Sequence, residues 1–120
     1  MRLRTELRNR TQCFASAVIR LYVKLPRQRA EIDVLGRQLL RSGTSVAAHA
    51  REASRARSDS EFCSKVDGLL QEADESELWL ELLRDDCGIQ SETLEPLLRE
   101  SHELLAIFTS MVCKLRKSGV

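Results

Sequence analysis

Aromatic side chains are scarce in this chain: three Phe, one Tyr and one Trp, or 4% of 120 residues. Glycine (five) and proline (two) are scarce too. An all-β domain draws on aromatic strands and Gly- or Pro-bearing turns, so this composition argues against one. No uncharged stretch exceeds about ten residues, as in Leu104 to Cys113, and a membrane-spanning helix needs roughly 20. Neither charge sign is in clear excess: 19 Lys and Arg stand against 18 Asp and Glu, a net charge of +1. That figure by itself points to no nucleic-acid partner. With 42% apolar and 31% charged residues of balanced sign, the chain is not a disordered polyelectrolyte. The N-terminal segment carries Arg2, Arg4, Arg8 and Arg10 but no apolar run of the secretory kind. No two of Cys13, Cys63, Cys87 and Cys113 form a C-x-x-C pair, so they read as reduced thiols packed as small apolar residues. The expected location is the cytoplasm, and the length fits one domain over residues 1–120.

Apolar spacing gives four helices, over about 6–24, 28–53, 59–86 and 94–117. Phe14, Ala17, Val18, Leu21 and Leu25 form one face of the first, which Pro26 stops. Ile32, Leu35, Leu39, Ser42, Val46 and Ala53 alternate at three and four along the second. Its middle, from Ser42 to Ala50, carries no charge and little bulk. Gly43 costs about 1 kcal/mol there relative to Ala. The apolar phase nevertheless resumes correctly beyond it, so the segment reads as helix. Phe62, Val66, Leu69, Ala73, Ser76, Leu80 and Leu83 hold a heptad along the third. Ser58 and Glu61 have capping-box spacing, and Gly88 suits a helix stop. Leu70, Leu78, Trp79 and Leu82 add a second stripe, which would leave a sizeable exposed patch on a lone bundle. Leu94, Leu104, Phe108 and Leu115 lie on the face of the fourth helix. Pro96 belongs in a first turn, so Thr93 is its expected cap. Short connections between such helices give an all-α, antiparallel, up-down-up-down four-helix bundle.

Catalytic and metal patterns are absent from the sequence. Carboxylate-bridged metal bundles carry Glu-x-x-His, but His49 follows Val46 at that spacing and His102 follows Arg99. No phosphate-binding glycine loop occurs. The expectation is no enzyme, no metal and no cofactor.

Charge is unevenly placed. Residues 1–29 carry a net +7 and the remainder −6. In an up-down-up-down bundle one pole gathers Arg2, Arg4, Arg8, Arg10, Arg51, Arg55, Arg57, Lys114, Arg116 and Lys117. Four acids, Glu6, Glu52, Asp59 and Glu61, leave that pole at +6. Such a pole suits the phosphates of RNA or DNA. A local reading also stands, since cations at helix C-termini are favoured by the dipole.

The segment Ser42-Gly43-Thr44-Ser45-Val46-Ala47-Ala48 followed by Arg51-Glu52-Ala53, Arg57-Ser58 and Glu61-Phe62 resembles a known family. It is the four-helix bundle family encoded by intervening sequences in 23S ribosomal RNA genes. Lys65, Glu72-Ala73, Glu75-Ser76, Trp79-Leu80-Glu81 and Leu82-Leu83 continue the likeness, which runs from about Phe14 to Ser110. His49 stands where the family commonly carries Asn. The resemblance implies a bacterial cytoplasmic protein and a homo-oligomer, since relatives form ring-like pentamers. A similar bundle, the accessory variability determinant of diversity-generating retroelements, binds nucleic acid beside a reverse transcriptase. The resemblance brings no catalytic residues. Ser42, Gly43, Ser45, Ala47 and Ala48 are expected to permit close approach at a helix or subunit interface. Glu52, Arg55, Glu72 and Glu75 are candidates for ion pairs there. The function expected is a non-enzymatic oligomeric scaffold binding structured nucleic acid, or a nucleic-acid enzyme, through the basic pole. The alternative is a structural protein–protein module without nucleic-acid binding.

Overall fold

The computed structural model describes residues 3–119. Four helices hold most of them: α1 (Thr5–Lys24), α2 (Ala30–Ser54), α3 (Asp59–Asp85) and α4 (Ser91–Lys117), with no strand among the described residues. Local chemistry sets the boundaries. Leu25 turns extended ahead of Pro26 and ends α1. Turn bonds from Arg27 N–H to Leu25 O and from Arg29 N–H to Pro26 O delay α2 to Ala30. Ser58 Oγ accepts the Glu61 N–H at 3.1 Å and caps α3 as its spacing predicts. Gly88, at φ +74°, occupies the left-handed region that a side chain disfavours, and the turn lets Ile89 N–H reach Leu83 O.

The start of α4 corrects an expectation. The cap residue is Gln90, without a side-chain bond, and Thr93 lies inside the first turn with its N–H on Gln90 O at 3.1 Å. Pro96 therefore sits beyond the first turn. The helix continues upstream because Glu92 in the first turn suits the dipole, while proline removes only one helical donor.

Contacts between helices run in opposite order, so every adjacent pair is antiparallel. Tyr22 and Leu25, late in α1, meet Gly36, early in α2, whereas Val18 meets Gly43. Ser42 meets Ser76, whereas His49 meets Gly68. Asp67 meets Arg116, whereas Glu77 meets His102. The result is a rod of 49 × 21 × 21 Å. Its core includes Phe14, Phe62, Phe108, Leu39, Leu69 and Leu104, all essentially inaccessible. Buried hydroxyls are satisfied: Ser42 and Ser76 bond each other at 2.7 Å, and Ser101 donates to Leu98 O at 2.8 Å.

The bundle is not evenly closed. Of the four adjacent pairs, α1 and α4 touch least. A half-buried guanidinium bridges them: Arg10 donates to Glu100 at 2.6 and 3.0 Å and to Glu103 at 2.9 Å. The bond to Glu100, then that to Glu103, holds the Arg10 proton more firmly than usual. A two-pronged, charge-assisted clasp is the strong form of ion pair. Arg10→Ala is expected to lower stability by about 1 kcal/mol, or roughly 4 °C in Tm, read by thermal melting; an unchanged melt would show the clasp to be incidental.

All four cysteines are free, but only Cys63 and Cys87 are buried, while Cys13 and Cys113 are exposed. The expectation that most would pack inside holds for half of them. Burial pushes the Cys87 thiol up, away from the reactive thiolate. A thiol reagent is expected to modify Cys13 and Cys113 rapidly in the native protein and the other two only on unfolding, which timed mass spectrometry would resolve.

Candidate nucleic-acid interface

The antiparallel order brings the start of α1, the α2–α3 connection and the end of α4 to one pole. There α1, α2 and α3 enclose an open groove of about 1290 Å³. α2 packs against both α1 and α3, so its residues line the middle of the groove, here its floor, and residues of α1 and α3 line its two sides. Ala47 and Ala48 keep that floor shallow, and Arg51, Glu52 and Arg55 follow along it. Arg8 stands on the α1 wall. Arg57 in the connection, then Ser58, Ser60, Ser64 and Lys65, form the α3 side. Five cations thus share the groove with two acids, Glu52 and Glu61. One acid is already engaged: Glu52 Oε1 lies 2.8 Å from His49 Nδ1.

The ten cations expected at this pole therefore divide. Arg8, Arg51, Arg55 and Arg57 line the groove. Arg10 turns away to Glu100 and Glu103, and Arg116 is bound by Asp67 at 2.6 Å. Arg4 lies 3.4 Å from Glu6. Lys114 and Lys117 are exposed on α4, outside the groove, and Arg2 lies outside the described residues. Lys65 was missed by sequence reasoning. It follows Glu61 by four residues, a spacing that reads as an ordinary helix-surface pair.

The residues expected at an interface also separate. Ser42 and Gly43 are buried between helices, Ser45 and Ala47 are half-buried, and Ala48 is exposed on the groove floor. Close approach is thus a property of Gly43 and Ser42 within the bundle, and Ala47 and Ala48 serve the groove. Glu72 and Glu75 both receive Arg41 of α2, at 3.4 and 2.9 Å. The second stripe of α3 is largely covered: Leu70, Trp79 and Leu82 are half-buried and only Leu78 is open. Leu70 and Trp79 pack against the core. The most exposed large apolar residues are Val23 (64%), Val34 (58%), Ile19 (46%) and Leu78 (45%).

At the opposite end, acids alternate with cations. Glu81 and Glu95 share a cleft with Arg84, Arg99 and His102. Arg84 holds the Asp85 carboxyl below its usual range, and Arg29 does the same to Glu31. His102 Nε2 approaches Glu77 Oε2 at 3.2 Å, out of line for a hydrogen bond. Among the described residues no three His, Cys, Asp or Glu side chains converge to hold a metal. No described helix is long and apolar enough to cross a membrane.

Fold and groove define a small antiparallel helical bundle with a basic cleft at one end. The chain belongs to the 23S rRNA-intervening sequence protein family, whose model matches residues 4–110. It is also similar to a crystal structure from Bacteroides thetaiotaomicron described as a protein with unknown function from the S23 ribosomal protein family. The two share 34% identity and superpose with a TM-score of 0.81, over 88% of this chain and 97% of that one. No curated protein matches.

Proposed function

We propose that this protein is a non-enzymatic scaffold that binds structured nucleic acid through the basic groove. The observation that carries this reading is the gathering of Arg8, Arg51, Arg55, Arg57 and Lys65, from both walls and the floor, around one open cleft. Helix-dipole preference accounts for Arg51 and Arg55 near the C-terminus of α2. It does not account for Arg8 in the first turn of α1, where the dipole disfavours cations, or for Lys65, which lies in the second turn of α3 and beyond the dipole's reach. Phosphate neutralisation by several cations releases counterions, so binding falls with salt. Titration of a structured RNA in filter binding is expected to give a log–log salt slope of about −3 to −5 for up to five contacts. No retention at the lowest salt would end the reading.

The scaffold is proposed to be a homo-oligomer. Ile19 and Val23 are exposed one turn apart on α1. Val34 is exposed on α2 near the point where Tyr22 Oη donates to Asp33 at 3.2 Å. Exposed apolar groups on these two neighbouring helices suit cover by another copy. Five copies is the number that the family resemblance implies. Light scattering that returned one chain mass at micromolar concentration would refute assembly.

A further inference from the structure

We infer that His49 is a positioning residue of the groove: it holds the Glu52 carboxylate aside from the groove's cations and leaves them free for phosphate. The inference rests on reading the groove as a phosphate-binding surface. Glu52 is an acid in an adverse place. It lines the groove beside Arg51 and Arg55, where a free carboxylate would repel an anionic ligand. It also stands in the last turn of α2, where the helix dipole disfavours negative charge. The groove's other acid, Glu61, has the opposite setting, in the first turn of α3.

His49 occupies the Glu52 carboxylate. An ionised carboxylate only accepts hydrogen bonds, so the imidazole carries a proton on Nδ1 and donates it to Glu52 Oε1 at 2.8 Å. The ring itself is seated on α3. A Cβ at Gly68 would lie 3.1 Å from His49 Cε1 and 3.2 Å from both Nδ1 and Nε2, so the bare glycine backbone makes room for the imidazole. Gly68 lies well inside α3, where glycine is costly relative to alanine. The seat explains why glycine stands there: a side chain would push the ring off α3 and shift its bond to Glu52. Among the described residues, Glu52 forms an ion pair with His49 alone.

Without the ring, Glu52 has other partners to hand. Arg55 follows it by three residues, a spacing at which side chains on a helix pair. Lys65 precedes Gly68 by three residues on α3 and lines the same groove. Either pairing would take one cation out of phosphate binding.

A double-mutant cycle, read by fluorescence anisotropy of one labelled RNA hairpin, tests this. His49→Ala is expected to lower affinity about eightfold at 0.1 M salt and to make the log–log salt slope shallower by about 0.9, the loss of one phosphate contact. In the Glu52→Gln background the same change is expected to cost less than about twofold, because no carboxylate is released. Gly68→Ala, which displaces the ring without removing it, should reproduce the loss in smaller measure and only where Glu52 is present. Circular dichroism would confirm that each variant is folded. Damage to packing would weaken binding alike in both backgrounds, so equal losses would overturn the positioning role, as would no loss in either; the groove reading would survive both results. If the unaltered protein did not bind the hairpin at the lowest salt, the groove reading and this inference would fall together.

Discussion

Replacing Gly43 with leucine is expected to destabilise the bundle by about 3 kcal/mol or more, seen as a lower urea midpoint. A Cβ at this position would lie 2.8 Å from Val18 Cγ2, 3.0 Å from its Cγ1 and 3.2 Å from its Cβ. Val18 is fully buried, and a β-branched side chain in a helix has essentially one rotamer, so it cannot swing aside. The helices themselves must part. Gly43→Ala is a milder test. It gains about 1 kcal/mol of helix propensity and loses about 1–3 kcal/mol to overpacking, for a net loss near 1. Shortening the opposing residue should relieve the clash, so Val18→Ala is expected to cost less in the Gly43→Ala background than alone. Independent, additive effects would show that the contact does not set the spacing of α1 and α2.

The second large effect concerns binding. Each neutralised phosphate contributes a factor of about 10^0.9, or roughly eightfold, at 0.1 M salt relative to 1 M. Arg51 and Arg55 are exposed, one turn apart on the groove floor. Reversing both, as Arg51→Glu/Arg55→Glu, removes two attractions and adds two repulsions. Affinity for a structured RNA is expected to fall by more than 10²-fold, with a salt slope shallower by about two or more. Reversal at Lys114 and Lys117, on α4 and outside the groove, should cost far less. Equal losses from the two pairs would mean that general charge, rather than the groove, drives binding.

Much of the architecture was legible because helix periodicity is local. The three–four spacing of Phe62 through Leu83 located α3, and Ser58 and Gly88 marked its ends. Gly43 was legible as a tolerated anomaly, but its reason, the Val18 side chain, lies on another helix. The start of α4 was misplaced because Pro96 argued for a later beginning than the chain adopts. The basic pole was foreseen as a sum and its division was not. Arg10 and Arg116 find acids 90 and 49 residues away. Arg8 and Lys65, on different helices, turn out to face one cleft. Periodicity says which way a side chain points from its own helix and little about what waits opposite. The same blindness made the second stripe of α3 look open when Leu70 and Trp79 pack against the core.

The thin α1–α4 seam gives the rod a mechanical character. α2 and α3 are in the most extensive contact and α1 and α4 in the least, so the edge that the Arg10 clasp bridges is the thinnest of the four seams. Backbone amides along α2 and α3 should therefore exchange slowest with deuterium, and those of α1 and α4 should open first. Because α1 is also one wall of the basic groove, a small yawning of the seam would change the groove's width from the far side.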